Sequence, residues 1–321
     1  MKEEKKRAGR NRTLTVDSAD GERLSTALLE AERFSWSQFK NVGVVNGDYK
    51  AVAKEIPEGS VDLLFLDPPY NLNKDFNGKR FKKKEIATYA DILDEAFSTL
   101  RPLLKDTATV YICGDWYSST SIHMSAEKYF VVRNRVTWER EKGRGAKTNW
   151  KNSLEDIWFC TVSDKYHFDV DAVKLRRRVI APYTNSDGTP KDWARTENGN
   201  FRDTHPSNFW NDITIPFWSM PENTDHPTQK SEKLLAKLLL ASSRPGDMVL
   251  DPFLGSGTTA VVAKKLQRKC LGVEINKEYC LWALKRLELA ERVLEIQGYA
   301  DGVFWERNTL KLQKKIEKEK K

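Results

Sequence analysis

Seven short runs of β-branched and aromatic residues, at 42–46, 61–66, 108–113, 131–138, 154–162, 247–251 and 270–275, alternate along this chain with amphipathic stretches. No other feature narrows the fold as much, because strands that alternate with helices close most simply into a mainly parallel sheet covered on both faces. Helical patterns fall at 24–33, 86–104, 119–129, 231–243, 258–267 and 277–297, the last with Leu281, Leu284, Leu287, Leu289 and Val293 among charged residues. The predicted class is α/β with a seven-stranded, mostly parallel sheet. The stretch 176–225 breaks the rhythm: it is rich in Asn, Asp, Pro, Thr and Trp, and reads as an inserted lobe of loops and short elements. A chain of 321 residues can bury one large core and a smaller lobe.

The net charge of +8 invites a nucleic-acid reading, but its distribution weakens that inference. Residues 1–12 and 311–321 each carry six basic and two acidic side chains, so the chain between them is neutral. Lysine-rich ends read first as solvated tails. Three local patches, 79–84, 133–151 and 174–178, are better placed to meet phosphates. No apolar run is long enough to cross a bilayer and residues 1–12 lack a signal-peptide core, so a cytoplasmic protein without a membrane partner is expected. Cys113, Cys160, Cys270 and Cys280 lack metal-ligand spacing, and the histidines do not cluster with them. Reduced thiols and no metal are expected.

Two constellations carry chemistry. The apolar run 61–66 ends abruptly in Asp67-Pro68-Pro69-Tyr70-Asn71. In an open parallel sheet the carboxyl ends of strands line the ligand crevice, so these residues stand where chemistry occurs. Two prolines fix the turn and remove N–H donors, leaving it rich in acceptors. An exocyclic amino group on a base is a poor nucleophile because its lone pair is delocalised into the ring. If Asp67 and the Pro68 carbonyl accept its two hydrogens, the lone pair is freed toward an electrophile, with Tyr70 stacked on the base. A rigid turn with a capping aspartate is the plainer alternative.

The second constellation is the strand 247–251 followed by Pro252-Phe253-Leu254-Gly255-Ser256-Gly257-Thr258-Thr259-Ala260, with Glu274 nineteen residues beyond Gly255 at the end of the next strand. Glycines admit a ligand close to the backbone, and the later acid suits ribose hydroxyls. Taken alone, Gly255-x-Gly257-x-x-Ala260 also fits a nicotinamide dinucleotide. The amino-group acceptors at Asp67 favour S-adenosylmethionine instead.

Together these residues resemble the DNA amino-methyltransferases of bacterial restriction-modification systems over most of 40–295. The likeness is to the circularly permuted, β-type subgroup, in which the Asp-Pro-Pro-Tyr half precedes the cofactor half on a Rossmann-like sheet. The resemblance implies a basic arm and leading helix at 1–35, a catalytic half at 36–175, a target-recognition insertion at 176–225, a cofactor half at 226–298 and a basic tail at 299–321. His226-Pro227-Thr228-Gln229-Lys230 is similar to the family's segment beside the methionine part of the cofactor, although Ser231 stands where a proline is common and reads as a helix cap. The implied cofactor set is Asp48, Asp67, His226, Thr228, Lys230, Asp251, Phe253, Gly255, Ser256, Gly257, Thr258, Glu274 and Ile275. Asp48 also fits an ordinary Asn-Gly-Asp turn.

Catalysis falls to Asp67, Pro68, Pro69 and Tyr70, and target-base or DNA contacts to Asn71, Trp138, Arg176, Arg177, Arg178 and Arg202. Core packing is the competing role for Trp138, and Glu155 and Asp156 read as structural. The implied reaction is direct methyl transfer to adenine N6 in double-stranded DNA. Cytosine N4 stays open because the preference rests on Asp67 alone. Cytosine C5 chemistry is disfavoured, since no cysteine follows a proline. A DNA-binding modification subunit without turnover is the alternative from another class. A cognate restriction endonuclease and a homodimer stay open as partners.

Overall fold

Leu63 and Phe65 enter one hydrophobic core while Leu64 and Leu66 enter another, so the strand that carries them is buried on both faces. That is the requirement for a central strand of a parallel sheet, and it explains the unbroken apolar run. The computed structural model describes residues 9–72, 74–76, 79–81, 83–140, 148–180, 183–196, 199–309 and 313. Residues 1–8 and 314–321 of the basic tails, Lys82, and 141–147 of the basic patch at 133–151 lie outside the described residues.

The chain runs through α1 (Ser18–Ser25), β1 (Leu29–Glu30), β2 (Val42–Asn46), α2 (Tyr49–Ala53), β3 (Val61–Leu66), the hairpin β4 (Lys74–Phe76) and β5 (Lys79–Phe81), α3 (Ile86–Leu100), β6 (Leu104–Gly114), α4 (Ser119–Tyr129), β7 (Val131–Glu139) and β8 (Leu154–Thr161). There follow β9 (Leu175–Arg178), β10 (Ala194–Thr196), β11 (Gly199–Thr204) and β12 (Phe209–Trp210). The chain continues through α5 (Glu232–Ser242), β13 (Met248–Asp251), α6 (Thr258–Lys265), β14 (Lys269–Glu274), α7 (Lys277–Leu289), β15 (Tyr299–Ala300) and β16 (Val303–Trp305).

The main sheet has nine strands in the order β1-β2-β14-β13-β3-β6-β8-β7-β12. Within it only β8 runs antiparallel to its neighbours. The seven strands read from sequence fill the seven central places, and the two-residue strands β1 and β12 extend the edges. β13 and β14 lie between β2 and β3, so the last third of the chain supplies the middle of the sheet, as a permuted order requires. Helices α5, α6 and α7 cover one face and α2, α3 and α4 the other.

The expected helix at 24–33 is not formed. The Asp17 carboxylate accepts from the Asp20 N–H and starts α1 at Ser18, while Leu29 and Glu30 pair in parallel with Val45 and Asn46. Edge pairing of the backbone overrides the local helical pattern there. α3 stops at Leu100 because Arg101-Pro102-Leu103 tightens into a 3-10 turn, and α7 ends at Leu289, eight residues short of the expected limit. Ser231 does cap α5, its hydroxyl accepting from the Leu234 N–H.

The lobe is more ordered than its composition suggests. It forms a second sheet in the order β10-β11-β9-β16-β15, so β16 returns to pair with β9 and carries β15 at its other edge. Asp212 joins the two sheets: Lys233 and Lys237 of α5 both pair with its carboxylate, and Lys233 also donates to the Trp305 carbonyl of β16.

The site lies where β13 and β3 run side by side, with Val249 opposite Leu63 and Leu250 opposite Leu64. The helix after β13 packs on one face and the helix after β3 on the other. Chains that leave adjacent strands in opposite directions open a crevice at the strand ends, and both expected constellations border it.

Candidate active site

Asp67, the first residue beyond β3, stands in a buried ionic cluster. Lys230 Nζ lies 2.8 and 2.7 Å from its two carboxylate oxygens and 2.8 Å from Glu155 Oε1. The Tyr70 hydroxyl is 2.6 Å from Glu155 and 2.9 Å from Asp67, so its one proton serves one of the two carboxylates, and it accepts from Lys230 at 3.1 Å. Arg140 approaches the outer oxygen of Glu155 at 3.1 Å. Cys113 at the end of β6 brings its Sγ within 4.8 Å of the same two carboxylates, and the positive charge among them is the Lys230 ammonium.

One ammonium between two carboxylates sets their protonation apart. Burial raises the Asp67 pKa above the usual carboxylate range, and the Glu155 charge adds to that effect against the pull of Lys230. Burial also works against Glu155, but Lys230 and Arg140 outweigh it and hold its pKa below the ordinary value. Burial opposes the Lys230 charge, yet Asp67 and Glu155 together keep the ammonium above its ordinary pKa.

The prolines shape the acceptors around Asp67. Tyr89 of α3 donates its hydroxyl to the Pro69 carbonyl at 3.0 Å, which anchors the turn to the helix packed below it. Among the described residues no donor reaches the Pro68 carbonyl. Among the described residues, a carboxylate and a carbonyl without a donor thus follow each other directly beyond the end of β3.

Across the crevice, Gly255 and Gly257 both adopt positive φ, +55 and +84. Each glycine answers to a protein neighbour. A Cβ on Gly257 would stand 2.5 Å from Ala283 Cβ, so that glycine lets α6 start against α7, while a Cβ on Gly255 would stand 3.1 Å from His226 Nε2. His226 also meets Tyr279 edge-on, and its Nδ1 accepts from the Thr228 N–H. The segment 226–230 is therefore braced over the glycine turn, and Lys230 is delivered from it to Asp67.

Glu274 closes β14 with one oxygen on the Gly255 N–H at 2.9 Å and the other on the Asn276 N–H at 2.8 Å. Ile275 beside it is exposed, and Phe253 packs on Tyr49. Asp251 is buried at the end of β13, and burial pushes its carboxyl up to about 7. Asp48 is exposed and caps α2 through the Lys50 N–H. Its neighbour Asn46 ties β2 to β14 by donating to the Glu274 carbonyl.

Several expected ligand residues are turned inward. Thr258 spends its hydroxyl on the Lys230 carbonyl and Arg286, and the buried Ser256 gives its carbonyl to Arg286, so both fix the turn to α7. Trp138 is 1% exposed and donates its ring N–H to the Ile213 carbonyl; it packs in the core and is not presented to a base. Asn71 uses both ends of its amide on the Lys84 backbone, closing the loop between them in place of a DNA contact.

In the lobe, Arg176 forms a two-pronged pair with Asp203, and Arg202 pairs with Asp192. Arg177 lies opposite Arg202 across the β9–β11 ladder, and the Arg178 backbone N–H bonds Glu306. The sequence reading missed Glu155 as part of the site. Its signal was a carboxylate at the head of a strand whose next six residues are buried, where a charge needs a partner.

Comparison with known proteins bears on the same span. A family model described as DNA methylase matches residues 61–285. The chain is 35% identical over 254 residues to the DNA adenine methyltransferase YhdJ of Escherichia coli (strain K12), an alignment that covers 77% of this chain and 83% of that protein. It is 33% identical over 238 residues to the type II methyltransferase M.HpaI of Haemophilus parainfluenzae, with coverage of 73% and 70%. Among solved structures, PvuII DNA methyltransferase (cytosine-N4-specific) superposes with a TM-score of 0.59 at 16% identity, covering 84% of this chain and 94% of that one. TTHA0409 from Thermus thermophilus, complexed with S-adenosyl-L-methionine, gives 0.52 at 20% identity, covering 83% and 98%. These last two are likenesses of fold alone. With the Asp67 turn and the Gly255 turn both inside the matched span, the chain belongs to the DNA methylase family.

Proposed function

We propose that this chain is a site-specific DNA methyltransferase that carries a methyl group from S-adenosylmethionine to the N6 amino group of adenine in double-stranded DNA. The observation that carries this reading is the adjacency of an acceptor turn, Asp67-Pro68, and a glycine turn, Gly255–Gly257, at the ends of neighbouring strands.

The residues around the glycine turn fit the cofactor by their chemistry. Glu274 offers carboxylate oxygens to ribose hydroxyls, and Ile275 presents an exposed apolar side chain beside it for a purine face. When bound, S-adenosylmethionine supplies an electrophilic methyl group on a sulfonium. Asp67 and the Pro68 carbonyl accept the two amino hydrogens of a base swung out of the duplex, and Tyr70 borders it. Holding the amino nitrogen at these acceptors turns its lone pair outward and replaces a chance encounter by a fixed approach. No covalent bond to the protein is needed: the bond from nitrogen to the methyl carbon would form as the carbon–sulfur bond breaks to leave a neutral thioether, and the surplus proton of the amino nitrogen would pass to water.

Adenine is favoured over cytosine N4 by aspartate at position 67 and by the adenine specificity in the name of YhdJ. The type II designation of M.HpaI supports a cognate restriction endonuclease as a partner in the same cell. A DNA substrate also supports action in the cytoplasm. Transfer of labelled methyl groups to duplex DNA, followed by digestion to nucleosides, tests the proposal. N6-methyladenine is expected, and N4-methylcytosine as the labelled product would refute it.

A further inference from the structure

The Lys230 ammonium has two anionic partners where one would neutralise it. If Asp67 were its only carboxylate, an incoming amino group would have to compete with a buried ion pair for the same oxygens, and displacing the ammonium would leave a charge buried and unpaired. Breaking such a pair is strongly unfavourable, because the charge left behind has neither water nor a partner. Glu155 removes that obstacle. Its Oε1 lies 2.8 Å from Lys230 Nζ, as close as Asp67 does, and its other oxygen is held by Arg140. Its side chain is 2% exposed, so it has no solvent to turn to.

We infer that Glu155 is a positioning residue for methyl transfer: it retains the Lys230 ammonium and the Tyr70 hydroxyl when Asp67 turns its oxygens to the target amino group. This rests on the function proposed above for Asp67. Lys230 then acts as a movable counter-charge between two seats, and the base enters without stranding an ion. The groups facing Asp67 are Glu155 on β8, Cys113 on β6, Asp251 on β13, Tyr89 on α3, Lys230 ahead of α5 and Tyr70 in its own turn. Of these, Glu155 alone both repels the Asp67 charge and binds its cation.

Glu155→Gln keeps the shape and removes the charge. Lys230 is then left to Asp67, so Asp67 stays ionised to lower pH and gives up its oxygens less readily. We expect kcat to fall about 10- to 100-fold with KM for DNA and affinity for S-adenosylmethionine changed less than about threefold. The acidic limb of the pH–rate profile should move down by about one unit. A carboxyl-carbon NMR titration of Asp67 in the protein without DNA should move the same way. A folded Glu155→Gln protein with wild-type kcat, or an unmoved Asp67 titration, overturns the assignment.

Should that variant fail to fold, Glu155→Asp carries the test, because the shorter side chain keeps the charge but withdraws from Lys230 and Tyr70. A fall in kcat of at least about fivefold is expected, and wild-type kcat overturns the assignment. A wild-type protein that transfers no methyl group to adenine refutes the function instead, and the NMR titration, which needs neither DNA nor turnover, still tests Glu155.

Discussion

Asp67 is held ready by charge and by turn geometry together. The prolines after it leave carbonyls in place of donors, and Lys230 keeps its oxygens oriented toward a shared donor before any base arrives. Asp67→Ala should therefore lower kcat by about 100-fold or more, as loss of a preorganised polar group at a reacting centre does, and leave S-adenosylmethionine binding detectable by calorimetry. Wild-type turnover would remove Asp67 from the reaction.

Asp251 yields a prediction on pH. Its carboxyl is pushed up to about 7 by burial, so the folded chain holds this proton more tightly than the unfolded chain does. The stability from that proton is full below the unfolded value and is lost as pH rises through about 7. Between about pH 5 and about pH 8 the wild type should lose about 2–4 kcal/mol that Asp251→Asn keeps. Urea unfolding of both proteins at the two pH values measures the difference, and parallel losses would contradict it.

Among the elements, α6 depends on a glycine for its position. A side chain on Gly257 would meet the Ala283 Cα at 2.8 Å, and backbone cannot yield as a flexible side chain can. Gly257→Ala should cost about 2–4 kcal/mol, because the strain of a positive φ adds to overpacking. Gly246 has a similar φ of +88 with nothing within 4 Å, so Gly246→Ala should cost only about 1 kcal/mol. Thermal unfolding of the pair separates packing from backbone strain, and equal losses would show that α7 gives way.

The strands of the main sheet were legible because burial on both faces writes a short apolar run, as at 63–66 in β3 and 248–250 in β13. β1 was not, since its two residues are fixed by the edge of β2 and carry no pattern of their own. The lobe sheet was hidden for a related reason. β9 pairs with β16 across more than a hundred residues, and β10 is exposed throughout, so neither hydrophobic period nor turn chemistry marks them. In the site, Asp67 stood out as an acid between a strand and a proline turn, and Glu274 as an acid at a strand end nineteen residues beyond Gly255. Glu155 did not, because its meaning comes from Lys230, seventy-five positions away.

At the scale of the molecule, two sheets are joined through a buried cluster. Asp212 pairs with both Lys233 and Lys237 of α5, while Lys233 reaches β16 of the second sheet. Asp212→Asn would leave two buried ammonium groups without a carboxylate, at a cost of about 3–5 kcal/mol. The lobe should then lose its coupling to the main sheet, and unfolding followed by tryptophan fluorescence and by far-ultraviolet circular dichroism should no longer coincide. Coincident transitions in the variant would show that the sheets are coupled elsewhere.

The order β2-β14-β13-β3 also bears on how the protein comes into being. On the ribosome, β2 and β3 emerge early, yet they are not neighbours in the sheet; the two strands that belong between them are made some two hundred residues later. Until then both carry open edges, the condition that slows folding and invites chaperones. The same delay withholds Lys230, the Gly255 turn and Glu274 from Asp67 until residues 230–274 have been made. A nascent chain that has not yet passed β14 has the Asp67 turn without the Gly255 turn and Glu274 beside it, so the two halves of the site come together only after both β13 and β14 have been made.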